Sequence, residues 1–193
     1  QLSILIQAAV SSTRLGQAKQ MLHYKSNALI QNAVNIAQSI RPGEIIVVTG
    51  ANAEAVKNAV QHIPVRWVHN RNWSAGMGGS IAAGSASIST ASSGVMILLC
   101  DQWRLQASDL RSLADKWQSD PTRIVCAQAK KQVMPPAIFP ATCFDRLRAL
   151  DGDTGARGVL QDHPQLMTAI TLKNAAYDID TQSQLEQFTN ADL

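Results

Sequence analysis

The sequence has few charged and few aromatic side chains, and its apolar runs are short. Only 16% of the 193 residues are charged and the net charge is +3, so the chain offers no broadly basic surface and we expect no nucleic-acid partner. Apolar runs such as 94–100 stop well short of the about 20 residues that a membrane-spanning helix needs. The first residues contain no basic segment followed by a long apolar region. We therefore expect a cytoplasmic protein without a signal peptide or a membrane partner.

Cysteines are also scarce. Cys100, Cys126 and Cys143 are far apart and odd in number, and no paired Cys or Cys/His spacing occurs, which disfavours both a disulfide framework and a zinc site. The four histidines are scattered and form no triad-like pattern with serine or cysteine, which disfavours a nucleophilic hydrolase. The first loop lacks Gly-x-Gly-x-x-Gly, which disfavours a dinucleotide-binding oxidoreductase.

What the sequence does contain is a regular alternation of apolar strands and amphipathic helices. The apolar share of 46% is enough for a sizeable core, and the length suits one domain over residues 1–193. Predicted strands cover 2–9, 44–49, 65–68, 95–100, 124–127, 137–139 and 167–172. Predicted helices cover 27–40, with Asn27 as N-cap, and 53–60, 80–89, 105–117, 142–150, 155–161 and 181–188. This order predicts an α/β fold with a mostly parallel sheet covered by helices.

The loop that leaves the first strand has the composition of a phosphate-binding loop. It combines small and hydroxyl residues with Arg14 and Lys19, five positions apart. Small residues let backbone N–H groups approach phosphates, while an arginine fork and a lysine ammonium hold phosphate oxygens. The loop therefore favours a nucleoside triphosphate, and the alternative is an ordinary basic surface loop.

Two further features follow predicted strands, where ligands of open parallel sheets bind. Asp101 directly follows the strand 95–100, and its alternatives are a helix N-cap and a turn residue. The turn 76–80, Gly-Met-Gly-Gly-Ser, precedes a helix. It is interpreted either as a tight turn with an N-cap or as a backbone surface that contacts a nucleobase, with Ser80 as hydroxyl partner.

Acidic residues near the end of the chain complete the candidate set. Either one of the carboxylates of Asp178 and Asp180 joins Asp101 around Mg²⁺, which prefers oxygen ligands and phosphates, or Asp180 or Thr181 is simply the N-cap of the last helix. Asp153 and Arg157 either cap a helix or face a charged substrate.

Five blocks of the sequence occur in an order that is typical of one known family. They are Ala8-Ala9 with Ser12, Arg14-Leu15-Gly16 and Lys19-Gln20-Met21-Leu22; Asn70 with Gly76-Met77 and Ser80; Leu98-Leu99-Cys100-Asp101-Gln102; Leu150 to Arg157; and Asp178 to Thr181. This order resembles the molybdenum cofactor cytidylyltransferase group of the nucleotidyltransferase superfamily, and the resemblance covers nearly the whole chain.

The resemblance implies a Rossmann-like three-layer α/β/α sandwich and a Mg²⁺-dependent reaction. The reaction transfers a nucleoside monophosphate, CMP from CTP in the first place, to a phosphate of molybdopterin or a related acceptor and releases pyrophosphate. A molybdoenzyme or a chaperone is the implied partner for the product. The implied catalytic residues are Arg14, Lys19 and Asp101. The implied nucleotide-binding residues are Ala8, Ala9, Ser12, Arg14, Gly16, Lys19, Gly76 and Ser80. Asp153 and Arg157 are implied on the acceptor side, and Asp101 with Asp180 or Asp178 at the metal.

The chain departs from the family pattern in loops that face the implied site. Val10 and Met134 replace glycines, Trp103 replaces a proline, and Gln7 replaces a leucine. Two interpretations follow: an enzyme with a shifted loop or a different nucleotide or acceptor, and a relative that binds without turnover. The retained charged residues favour the enzyme, whereas valine at position 10 favours the second interpretation.

Overall fold

The computed structural model describes residues 1–9, 16–162 and 164–191, which form nine strands and seven α-helices. The strands are β1 (Leu2–Ala8), β2 (His23–Tyr24), β3 (Asn27–Ala28), β4 (Glu44–Thr49), β5 (Arg66–His69), β6 (Gly94–Leu99), β7 (Ile124–Ala129), β8 (Gln132–Pro140) and β9 (Met167–Thr171). The helices are α1 (Leu29–Ser39), α2 (Ala53–Ala59), α3 (Met77–Ala86), α4 (Ala107–Ser119), α5 (Phe144–Arg148), α6 (Ala156–Asp162) and α7 (Gln182–Ala191). Within these ranges, no helix has both the length and the apolar character to cross a membrane.

Seven of the strands described form one sheet in the order β5-β4-β1-β6-β8-β7-β9. The four strands from β5 to β6 are parallel, β8 is antiparallel to both of its neighbours, and β9 is parallel to β7. The chain runs outward from β1 to β4 and β5, and then returns to β6 on the other side of β1. The strand order therefore reverses between β1 and β6, which is where open α/β sheets bind ligands.

Helices cover both faces of the sheet. One core joins alternate residues of β1, such as Ile4 and Ile6, to α1 and α4. The second core joins Leu5 and the opposite face of β1 to α3, α5 and α6. This arrangement confirms the predicted three-layer α/β/α sandwich with a mostly parallel sheet.

Helix α3 lies unusually close to the sheet because it is built from small residues. A Cβ on Gly84 would lie 2.3 Å from Leu5 Cδ1 and 2.7 Å from Val48 Cγ2. Only glycine fits this contact, which fixes α3 and the turn before it against the carboxyl ends of β1 and β4.

Two local predictions were wrong. Asn27 does not cap α1, because it pairs with Tyr24 in a hairpin of β2 and β3 that the sequence did not predict. The helix begins at Leu29, and the Gln31 side chain accepts the backbone N–H of Ala28 at 2.9 Å. The strand predicted over 137–139 is instead the nine-residue β8. Two of its three prolines, Pro135 and Pro136, hid it, and they fall where the register with β7 shifts, a position that tolerates proline within a sheet.

Candidate active site

Three charged side chains from distant parts of the chain meet beside the carboxyl ends of β1 and β6. The Lys19 ammonium donates to Asp101 Oδ2 at 2.7 Å and to Asp180 Oδ1 at 2.5 Å. The side chains of Lys19 and Asp101 are only 10% and 13% exposed, whereas that of Asp180 is 55% exposed. The cluster is therefore closed on the side of the sheet and open on the side of Asp180.

The two carboxylates keep Lys19 charged in spite of its burial. Burial by itself favours the neutral amine, but attraction and hydrogen bonds from Asp101 and then Asp180 outweigh it and hold the pKa of Lys19 above its usual range. A fixed positive charge thus lies at the end of β1.

Asp178 is the third carboxylate of the region. Burial, followed by repulsion from Asp180 and Asp101, raises the pKa of Asp178. Its Oδ1 accepts a hydrogen bond from Gln184 Nε2 at 2.8 Å, whereas Asp180 faces Lys19. The cap of α7 is Thr181, whose Oγ1 accepts the backbone N–H of Gln184 at 3.2 Å.

These carboxylates suit a hard divalent cation that also binds phosphate. Over the described residues, no group of three or more His, Cys, Asp or Glu side chains is arranged to hold a metal by itself. Mg²⁺ usually binds one or two carboxylates and completes its coordination with waters and substrate phosphates. Asp101 and Asp180, which already share the Lys19 ammonium group, fit that pattern. Asp178 adds a carboxylate that lies near two other negative charges.

A cavity of ≈ 110 Å³ adjoins the charged cluster, with Gln7, Met77 and Leu99 in its lining. The Gln7 side chain is 2% exposed, and neither its amide nitrogen nor its amide oxygen has a hydrogen-bond partner among the described residues. A buried amide without partners costs free energy, so a ligand that pairs with it gains affinity. Sequence reasoning does not place Gln7 in the site, and its only signal is an amide near the end of a largely apolar strand.

The predicted turn 76–80 is mostly helical, because α3 begins at Met77 rather than at Ser80 and Gly76 is its N-cap. This first turn of α3 approaches another loop of the protein. A Cβ on Gly76, whose φ is +128°, would lie 2.2 Å from the carbonyl oxygen of Gly152, and the Gly78 N–H donates to that oxygen at 2.8 Å. Ser80 is buried and its hydroxyl accepts from Asn70 Nδ2 at 2.9 Å. The side chain from the first turn of α3 that lines the cavity is that of Met77.

The same contact brings the loop of residues 151–155 to the site. Asp153 and Arg157 are both exposed, and Arg157 Nη2 donates to Gln132 Oε1 at 3.1 Å. The structure thus places the predicted acceptor-side residues on a loop and helix that pack against the predicted nucleotide turn.

Part of the predicted phosphate loop lies outside the described residues, namely Val10, Ser12 and Arg14. Ala8 and Ala9, which precede these residues in the sequence, are buried, and the Ala8 carbonyl accepts a hydrogen bond from Gln20 Nε2 at 2.8 Å. Gly16 has a φ of +65°, which explains the choice of glycine there.

Comparison with known proteins adds family information to this geometry. The model of the family described as MobA-like NTP transferase domain matches residues 4–167. The chain is 29% identical over 191 residues to nicotine blue oxidoreductase of Paenarthrobacter nicotinovorans, an alignment that covers 92% of this chain and 91% of the relative. It is 28% identical over 196 residues to purine catabolism protein PucB of Bacillus subtilis (strain 168), covering 95% and 94%. The crystal structure of Rv0371c from Mycobacterium tuberculosis in complex with manganese superposes with a TM-score of 0.84 at 21% identity, covering 99% of both chains.

Proposed function

Because the chain belongs to the MobA-like NTP transferase domain family and is a nucleotidyltransferase, we propose that it transfers CMP from CTP to a phosphate of molybdopterin or of a related acceptor. The observation that carries the proposal is the cluster of Lys19, Asp101 and Asp180 beside a cavity lined by the Gln7 amide, which is unpaired within the part of the chain that the structure describes. Such a cluster supplies the charges that a triphosphate requires, and the cavity supplies a place for the attached group.

The reaction requires little covalent chemistry from the protein. An oxygen of the acceptor phosphate forms a bond to the α-phosphorus of the nucleotide. The bond from that phosphorus to the oxygen that bridges to the β-phosphate breaks, and pyrophosphate leaves with the electron pair. Positioning and charge neutralisation supply the rate enhancement. Lys19 is charged, and an ammonium group is a suitable donor to phosphate oxygens. We assign Arg14 to the same task.

We assign Asp101 and Asp180 as the carboxylates that hold Mg²⁺, with Asp178 beside them. When bound, a divalent cation neutralises charge that develops on the phosphate oxygens. The fit rests on the oxygen donors of these side chains, and the manganese in the Rv0371c crystal structure is consistent with a divalent cation in this fold. Asp101 and Asp180 accept from Lys19 in the structure, so Lys19 and the cation compete for the same partners.

The cavity beside β1 is the proposed site for the nucleobase. The Gln7 amide offers one donor and one acceptor side by side, which matches the adjacent amine and ring nitrogen of cytosine. The side chains of Met77 and Leu99 supply apolar lining for a flat ring. The preference for CTP comes from the family resemblance of the sequence blocks, and we place Gly76 and Ser80 behind this site and Asp153 and Arg157 towards the acceptor.

Pyrophosphate release from CTP, GTP and ATP, with molybdopterin as acceptor and Mg²⁺ or Mn²⁺ present, tests the proposal. We expect release with CTP from the wild type and its loss in Asp101→Asn, which removes one negative charge from the site. Asp115→Asn is the matched control, because Asp115 is exposed on α4, and it should behave like the wild type. Equal release from the wild type and Asp101→Asn contradicts the proposal, as does nucleotide binding without any release.

The same assay includes NADH and NADPH, because one relative has the name of an oxidoreductase. The sequence has no Gly-x-Gly-x-x-Gly motif, so we expect no oxidation of either cofactor. Oxidation without pyrophosphate release would replace the proposed function by a redox one.

A further inference from the structure

We propose that Trp103 is a positioning residue that fixes Asp101 and Asp180 relative to each other. This proposal rests on the proposed function in one respect only, the metal ion that these carboxylates are assigned to hold. The reason for such a residue is the position of Asp180, which follows β9, the last strand of the sheet described, so strand pairing does not place it. Some other contact has to bring residues 177–180 to the end of β6.

The first such contact is made by the backbone. The N–H of Trp103 lies 3.0 Å from the carbonyl oxygen of Asp101 and 3.2 Å from that of Tyr177, so one donor joins both segments. The preceding side chain adds a second link, since Gln102 Nε2 donates to the carbonyl of Ala175 at 2.8 Å. Proline, which the family pattern has at position 103, lacks the N–H and cannot make the first link.

The second contact is made by the indole ring. Its centroid lies 5.0 Å from that of Tyr24, 5.3 Å from that of Phe188 and 6.0 Å from that of Tyr177, each pair in an edge-to-face arrangement. Trp103 is 6% exposed and packs with Ile179, which is fully buried. Because Ile179 separates Asp178 from Asp180, its burial fixes the direction of both carboxylates.

The third contact extends to the lysine of the cluster. The same small core contains Leu29 and includes Leu22 and Tyr24 at its edge, in the hairpin that follows Lys19. The Leu29 N–H donates to the Leu22 carbonyl at 2.8 Å, which closes that hairpin. All three segments that carry the charged cluster therefore pack around Trp103.

The expected consequence is preorganisation of the two carboxylates. Without the ring, residues 177–185 keep the backbone hydrogen bond from residue 103 but lose the aromatic packing that orders them against the loop after β6. Ordering them again costs free energy whenever a cation binds. A replacement that keeps an aromatic ring should preserve most of the effect. A purely structural role would lower overall stability without a specific effect at these carboxylates.

Two measurements on Trp103→Leu test the proposal, with Trp103→Phe as the conservative variant. The first is amide hydrogen exchange of the metal-free protein, where we expect faster exchange over 177–185 in Trp103→Leu and near wild-type exchange in Trp103→Phe. The second is Mn²⁺ affinity measured by electron paramagnetic resonance. We expect a loss of ~10-fold in Trp103→Leu, the effect typical of a residue that orients metal ligands.

Trp117→Leu is the matched control. Trp117 is 4% exposed and lies against Gly94, at the opposite end of β6 from Asp101. The Trp117→Leu substitution should lower the thermal stability of the protein. It should leave both the amide hydrogen exchange over 177–185 and the Mn²⁺ affinity unchanged. If Trp103→Leu does not fold, Tyr24→Leu takes its place, since the Tyr24 ring lies 5.0 Å from the indole and its loss removes part of the same aromatic packing.

Wild-type exchange over 177–185 in the folded Trp103→Leu or Tyr24→Leu variant would overturn the proposal. So would equal changes in exchange over that segment in Trp117→Leu. Failure of the wild type to bind Mn²⁺ would count against the proposed metal site, and the exchange measurement, which needs no metal, would still decide the role of Trp103.

Discussion

Replacement of Lys19 by methionine should destabilise the metal-free protein and increase its response to divalent cations. The substitution keeps a long apolar stem and removes the ammonium that Asp101 and Asp180 share. Asp101, at 13% side-chain exposure, is then left buried without its cation, whereas Asp180, at 55%, is screened by water.

The size of the effect follows from that difference in exposure. Removal of one partner from a fully buried pair costs about 3–5 kcal/mol, and with one partner half exposed we expect a loss of about 2–3 kcal/mol in the free energy of unfolding. For a chain of this size, that corresponds to a fall of about 4–12 °C in Tm. Lys57→Met is the control, because the Lys57–Glu54 pair at 3.1 Å is exposed, and it should cost less than about 1 kcal/mol.

The response to Mn²⁺ is the decisive part of this prediction. In the wild type, a cation has to displace Lys19 from the two carboxylates, whereas in Lys19→Met the carboxylates accept it directly. Thermal unfolding at increasing Mn²⁺ concentration should therefore raise the Tm of the variant more than that of the wild type, since ligand stabilisation grows with affinity. The reasoning would be refuted if Mn²⁺ raised the Tm of both proteins equally. It would also be refuted if Lys19→Met without metal were as stable as the wild type and Mn²⁺ left its Tm unchanged.

Substitutions at three further places test other parts of the site. Asp178→Asn should stabilise the metal-free protein at neutral pH, because a pKa raised above 3.8 in the folded state means that ionisation of Asp178 opposes folding. In unfolding measurements at several pH values, the gain in stability should shrink as the pH falls towards 3.8. A gain that does not depend on pH would contradict this cause. Gly76→Ala should lower the free energy of unfolding by about 3 kcal/mol, because it combines a φ of +128° with a Cβ at 2.2 Å from Gly152. Gly152→Ala is the control, because its φ is +56° and its Cβ would meet no heavy atom within 4 Å among the described residues. It should cost only about 1–2 kcal/mol in denaturant unfolding. Gln7→Leu should raise the free energy of unfolding by about 1 kcal/mol, because it removes a buried amide that has no partner among the described residues. It should also weaken CTP binding in calorimetry. An unchanged affinity for CTP would show that Gln7 does not belong to the nucleotide site.

The family and the architecture were predictable because their signals are local or follow the order of the chain. Apolar alternation marked the parallel strands, and the blocks from Ala8 to Thr181 marked the family, which the match over residues 4–167 confirms. Local signals also misled: Asn27 has the chemistry of an N-cap, but its pairing with Tyr24 took precedence, and Pro135 and Pro136 hid a central strand that a register shift accommodates.

For the site, the sequence by itself determined which side chains are available. It placed Lys19 and Asp101 after strands of the predicted parallel sheet, at the end where such sheets bind ligands. Only the structure shows that these two strands, β1 and β6, are neighbours. Their roles in catalysis, and those of Asp153 and Arg157, stay predictions. Only the tertiary structure decided that Asp180 rather than Asp178 faces Lys19, that the glycines at 76 and 78 approach residue 152, and that the Gln7 amide has no partner among the described residues. These contacts join segments that are far apart in the chain, and they depend on packing in three dimensions, which no periodicity along the sequence encodes.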